Sequence, residues 1–248
     1  MRRGWLLIAL LLVALLLDAC GAGHRKSASP AGSRANATVD DCLRLGPETR
    51  TIELHPHGAP VKAVLIGAGT TVFVLSNESD QNLCGWLPFV RTLTAHHYAA
   101  LLYDYLDPAE LPADAQAGAI AARAAKARHI VLMGASVGAR ASIDTAATAT
   151  PGIVAVISLS AERTVPSDPT DLLQRARRVT VPTLLISTRD DPFVNDATRP
   201  LLHALGSKRK RALILPGTDH GTSLLTDDNR RRVQAAILTF VATNSATR

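Results

Sequence analysis

A chain of 248 residues with 47% hydrophobic and 19% charged residues and 14 prolines can bury one substantial core, which excludes a disordered chain and argues for one folded domain. Its formal net charge of +6 includes basic clusters at 208–211 and 230–232. No nucleic-acid motif accompanies them, so they read as solvated faces and a helix terminus, and nucleic acid is not an expected partner.

The first segment is an address. Arg2 and Arg3 precede an apolar run from Trp5 to Leu17. A membrane-crossing helix needs about 20 apolar residues, so this shorter run reads as a signal peptide over 1–19. Its end, Leu17-Asp18-Ala19-Cys20, resembles a bacterial lipobox through Leu17, Ala19 and Cys20, with Asp18 an unusual charged occupant. That resemblance implies a mature chain beginning at a diacylated Cys20 and a cell-membrane location on the extracytoplasmic side. Residues 20–40 are Gly, Ala, Ser, Pro and scattered charge, which predicts a flexible tether. The remaining cysteines, Cys42 and Cys84, form an even pair in a chain bound for an oxidising compartment. A disulfide between them closes a loop of about forty residues and stabilises by roughly 3 to 4 kcal/mol in the chain-entropy model.

The folded domain is expected over 41–248. Runs at 51–55 and 61–66, joined by a His-Gly-Ala-Pro turn, read as an antiparallel edge, and 70–75 reads as a strand buried on both faces. A helix over about 86–96, a strand at 99–103 and an Ala-rich helix ending near 127 follow. Strands at 130–133, 153–159, 183–187 and 212–215 alternate with helical sequence, and a last helix from about 228 to 241 places Val233, Ile237, Leu238 and Val241 on one face. Only 162–181 separates two of these strands, room for a small helical lid. The fold class expected is α/β: a mostly parallel central sheet of about seven or eight strands, helices on both faces, and a minimal lid.

The chemistry-bearing residues follow the strands. In Gly134-Ala135-Ser136-Val137-Gly138 the glycines permit a tight strand-to-helix turn that lifts the Ser136 hydroxyl to the sheet's edge and brings the Val137 N–H near a reacting carbon. After the strand at 183–187 comes Thr188-Arg-Asp190-Asp191-Pro-Phe-Val194, and after the last strand comes Pro216-Gly-Thr-Asp-His220-Gly221. Nucleophile, acid and histidine in this order resemble the α/β-hydrolase fold family over roughly 50–245. The resemblance implies a Ser136–His220–Asp191 triad, Asp191 fitting the family's register better and Asp190 next in line; the acid loop departs from the family's pattern in lacking its Gly. It also implies a second oxyanion donor after the strand at 70–75, where this chain has Ser76-Asn77-Glu78-Ser79 in place of a Gly-rich run, with the Asn77 or Glu78 N–H available. Asp104, Glu162 and Asp219 read as turn or cap residues. Trp86, Phe89, Tyr103 and Phe193 are candidates for an acyl pocket.

The resemblance implies a serine hydrolase, carboxylesterase- or lipase-like, acting through an acyl-enzyme on a small-molecule or lipid ester. Thioester, amide or peptide cleavage uses the same residues, and a non-catalytic envelope binding protein with the same fold is the reading from a different class. No cofactor and no metal are expected, and the chain is expected to be a monomer held to the membrane by its lipid anchor.

Overall fold

The computed structural model describes residues 48–245 except 59, 106, 167 and 195. The signal peptide, Cys20, the tether and Cys42 lie outside the described residues.

The apolar runs form strands β1 (Thr49–Leu54), β2 (Val61–Ile66), β3 (Thr71–Ser76), β4 (Ala99–Tyr103), β5 (His129–Ala135), β6 (Ile153–Leu159), β7 (Thr183–Thr188) and β8 (Lys210–Leu215). They pair in the order β1-β2-β4-β3-β5-β6-β7-β8. β1 and β2 run antiparallel to each other, β2 runs antiparallel to β4, and all pairs from β4 to β8 are parallel. Every residue of β3, β4, β6 and β7 is buried, as strands covered on both faces require. The outer strand β8 is half-buried and carries Lys210 and Arg211, charges that discourage edge-to-edge pairing with another chain.

Helices α1 (Leu87–Ala95), α2 (Leu111–Ala124), α3 (Val137–Ala146), α4 (Leu172–Ala176), α5 (Thr198–Ala204) and α6 (Arg230–Ser245) cover the sheet. One face packs under α2 to α5 through Leu111, Ala115, Ile143, Leu172 and Leu201. The other packs under α1 and α6 through Phe89, Leu93, Val233, Ile237 and Phe240. The small alanines of α2 and α3 allow close approach to the sheet; a Cβ at Gly118 of α2 would collide with Val74. Among the described residues no helix is long and apolar enough to cross a membrane.

The expected helical lid takes another form. Among the described residues of this strap, 161–171, there is an isolated bridge between Val165 and Asp168 and no helix, and helix begins only with α4. Pro166 and Pro169 account for this, because each removes a main-chain donor and disfavours helix at the residue before it. The strap is tied down by Arg140 of α3, whose side chain is buried. It donates to the carbonyls of Arg163 (2.7 Å) and Thr170 (2.6 Å) and to Asp168 Oδ2 (2.7 Å). A buried guanidinium with this many acceptors is paired as its burial demands.

Candidate active site

The C-terminal ends of β3, β5, β6 and β7 and the loop after β8 converge on one region. Its centre is Ser136, with φ 53° and ψ −118°, a strained backbone for a non-glycine residue and one that marks a constrained turn. Both neighbouring glycines are required sterically. A Cβ at Gly134 would run into the main chain of Gly138, and one at Gly138 would run into the carbonyls of Ser76 and Asn77 at the end of β3. The turn therefore seats α3 directly against the neighbouring strand and leaves Val137 at the first position of α3, where helix N–H groups lack intrahelical acceptors.

His220 follows β8 on a loop fastened at several points. Thr188 donates to the Asp219 carbonyl (2.8 Å), Asn229 donates to Asp219 Oδ2 (2.9 Å), and the His220 N–H donates to Ser223 Oγ (2.9 Å). Asp219 thus serves the loop as a brace, in line with its turn role. His220 Nδ1 lies 2.8 Å from Asp191 Oδ2 and 3.0 Å from Oδ1. Asp190 is exposed, and its main-chain N–H donates to the Gly217 carbonyl (3.1 Å). The carboxylate at hydrogen-bond distance from the histidine is that of Asp191.

The electrostatics of this pair are reciprocal. Burial works against an imidazolium at His220, but the hydrogen bond and charge of Asp191 outweigh it, with Glu78 and Glu162 adding to them, and the pKa lies above the ordinary histidine value. Burial likewise opposes a charged Asp191, yet the His220 hydrogen bond and the Phe193 N–H (3.0 Å) hold its pKa below the usual carboxylate range.

Ser136 and His220 line a cavity of about 550 Å³ together with Ser79, Asp80, Pro108, Val137, Glu162, Val165, Pro166 and Phe193. The Ser136 hydroxyl donates to Glu162 Oε1 at 2.8 Å. Glu162, read from sequence as a turn residue, is therefore a cavity residue in contact with the serine. The signal that could have found it is positional: it follows β6 by three residues, at the same sheet edge as Ser136.

Asn77 does not line the cavity; from the loop after β3, Ser79 and Asp80 do. The Asn77 side chain donates to the Tyr103 carbonyl (3.0 Å) and Asp104 Oδ1 (2.9 Å) and accepts from Trp86 Nε1 (2.9 Å). Asp104 also accepts the Leu83 N–H (2.7 Å), so this cluster knots β4 to the turn that precedes α1. Cys84 lies in that 3₁₀ turn, Leu83–Trp86.

Three of the four aromatic pocket candidates sit elsewhere: Trp86, Phe89 and Tyr103 are fully buried core residues, as apolar mass of this size favours. Phe193 alone reaches the cavity. It is 59% exposed, and its ring centroid is 4.8 Å from that of His220.

The side-chain role of Glu78, named from sequence only for its main-chain N–H, was also hidden. Its buried carboxylate accepts from the Thr222 N–H (3.2 Å) and the Thr222 hydroxyl, linking the loop after β3 to the histidine loop. Burial raises its pKa despite these bonds. Gly221, at φ 55°, fits beside it because a side chain there would strike the Glu78 carboxylate.

No protein-family model matches this sequence, and no curated protein matches it. Solved structures do. An esterase of Pyrococcus furiosus superposes with a TM-score of 0.70 at 13% identity, over 79% of this chain and 91% of that one. A dienelactone hydrolase of Anabaena variabilis gives 0.66 at 18% identity over 80% and 99%. A monoacylglycerol lipase of Paleococcus ferrophilus gives 0.64 at 14% identity over 74% and 99%. The chain has the α/β-hydrolase fold. At such low identity the likeness shows the fold alone, and any argument about chemistry rests on the residues at the strand ends, Ser136, Asp191 and His220 among them.

The Glu78 link yields a stability prediction. Glu78→Gln keeps an acceptor for Thr222 and removes a buried charge, so it should unfold at the wild-type temperature or above at neutral pH. Glu78→Ala leaves the Thr222 donors unpaired and should lose about 1 to 3 kcal/mol, measured by thermal or urea unfolding. The sign follows from the raised carboxyl pKa: ionising Glu78 costs stability as pH rises through it, and Gln escapes that cost.

Proposed function

We propose that this protein is a serine esterase that cleaves carboxylic esters through an acyl-enzyme on Ser136. The observation that carries the reading is His220, paired with Asp191 behind it, lining the same cavity as a serine in a strained strand-to-helix turn. In this reaction the Ser136 hydroxyl turns from Glu162 to His220 Nε2, gives up its proton there, and Oγ bonds to the ester carbonyl carbon. The oxyanion is held by the Val137 N–H and by a main-chain N–H of the loop after β3, where Ser79 borders the cavity. Collapse of the tetrahedral species expels the alcohol, which takes the proton from His220; water then repeats the sequence on the acyl-enzyme. Asp191 holds the imidazole by its Nδ1–H and stabilises the imidazolium.

Two structural neighbours are an esterase and a monoacylglycerol lipase, which supports an ester as the bond cleaved. The cavity's mixed lining of Val137, Val165, Pro166 and Phe193 beside polar groups suits a small acyl ester. We further propose that Cys20 carries the lipid anchor, placing the enzyme on the extracytoplasmic side of the membrane, and that Cys42 and Cys84 are disulfide-bonded. A second reading, a binding protein that keeps the fold without turnover, draws on the Ser136 hydroxyl being bonded to Glu162.

A fluorophosphonate probe separates these readings: the esterase is labelled and Ser136→Ala is not, whereas an unlabelled wild-type protein selects the binding protein. In the esterase, Asp191→Asn should lower kcat roughly 10³- to 10⁴-fold.

The base must be neutral to act, and His220 titrates above its ordinary value of about 6.5. The kcat/KM profile should therefore rise with pH through a midpoint above about 6.5. Glu78→Gln should move that midpoint down, because a charge that favours the imidazolium is gone.

Cys20→Ala should move the protein from the membrane to the soluble fraction and abolish incorporation of labelled fatty acid; a variant that still pellets with membranes and takes up label rules the anchor out.

A further inference from the structure

Glu162 is the cavity residue for which the triad chemistry has no use. For hydrolysis of a plain ester its position is a disadvantage. It accepts the Ser136 hydroxyl's hydrogen bond at 2.8 Å, a bond that must break before the serine can turn to His220, and its charge opposes the oxyanion that must develop beside it. Asp80, from the loop after β3, borders the same cavity, and the described lining residues include no lysine or arginine. The two cations that hold the strap are committed elsewhere. Arg163 is paired with Asp171 (2.9 Å), and Arg140 is clamped to Asp168 and two carbonyls. A protein with a net charge of +6 thus has a cavity whose formal charges are negative. At its mouth the exposed ring of Phe193 offers an aromatic surface of the kind that attracts cations.

We infer that Glu162 is a specificity-determining residue, selecting esters whose acyl chain carries an ammonium group close to the scissile carbonyl, with Asp80 reinforcing the selection. The inference rests on the esterase reading above. A carbonyl carbon poised for attack lies about 3 Å from Oγ, so a cation hydrogen-bonded to Glu162 falls about two or three bonds from that carbon. The substrate ammonium replaces the Ser136 hydroxyl as the partner of Glu162, and the released hydroxyl turns to His220. Binding of the right substrate and activation of the nucleophile are then one event. A neutral acyl chain leaves Glu162 to compete for the proton, and an anionic one meets two carboxylates.

Three benzyl esters that differ only at the end of the acyl chain test this: 3-aminopropanoate, butanoate and hydrogen succinate, ending in ammonium, methyl and carboxylate. At a pH above the His220 titration and below that of the amine, kcat/KM should fall in that order. The ammonium ester should lead the methyl ester by about tenfold or more, the margin of a charge-assisted hydrogen bond. Glu162→Gln keeps the shape and removes the charge, and should bring that ratio close to unity. Asp80→Asn, on the exposed rim, should lower it by a smaller factor and carries the test if Glu162→Gln does not fold. A ratio unchanged in these variants, or a wild-type preference for the succinate ester, overturns the inference while leaving the esterase intact. A wild-type protein that hydrolyses none of the three and takes up no fluorophosphonate overturns the esterase reading, and this inference with it.

Discussion

The structure is organised around one close approach, that of the turn between β5 and α3 to the end of β3. Main chain meets main chain there with no room for a side chain at Gly134 or Gly138, and Ser136 accepts a left-handed backbone as the consequence. Such strain persists only where its surroundings over-determine it. Here the surroundings are the fully buried central strands on either side of β5 and the alanine-rich face of α3 against the sheet. The same turn joins the end of β5 to the start of α3, so Ser136 and Val137 border one cavity.

Around that fixed point the other loops are held by hydrogen bonds from buried polar side chains. Asp191 holds the histidine, Glu78 joins two loops through Thr222, and Asn77 with Asp104 fastens the segment before α1. Loops bordering an open cavity are polar and partly open to water, so apolar burial alone does not fix them. Polar anchors do so, and each has at least one partner on another loop or strand.

How much of this was legible in the sequence varies with the kind of interaction involved. The strands were readable because a two-sided buried strand is a continuous apolar run bounded by turn residues, and the order of serine, acid and histidine was readable because each follows such a run. The choice between Asp190 and Asp191 was not, since adjacent residues leave a strand end in opposite directions and only the loop's course decides which carboxylate meets the histidine. Which of Trp86, Phe89, Tyr103 and Phe193 would fill the core and which would reach a pocket was open for a related reason: an aromatic's identity does not say which side of the sheet it fills. Glu162 and Glu78 escaped because their partners, Ser136 and Thr222, are distant in sequence and meet only through the fold. The lid was overestimated as helix although its two prolines were visible. Arg140 offered a further clue, a lone long cation amid the small side chains of α3.

That arginine has a consequence for how the cavity behaves. It sits one helical turn beyond the serine and grips the carbonyls and carboxylate of the strap that supplies Val165 and Pro166 to the cavity wall. The cavity wall and the turn that bears Ser136 are thereby tied to one helix, so the outline of the cavity and the position of the serine are set together as the chain packs.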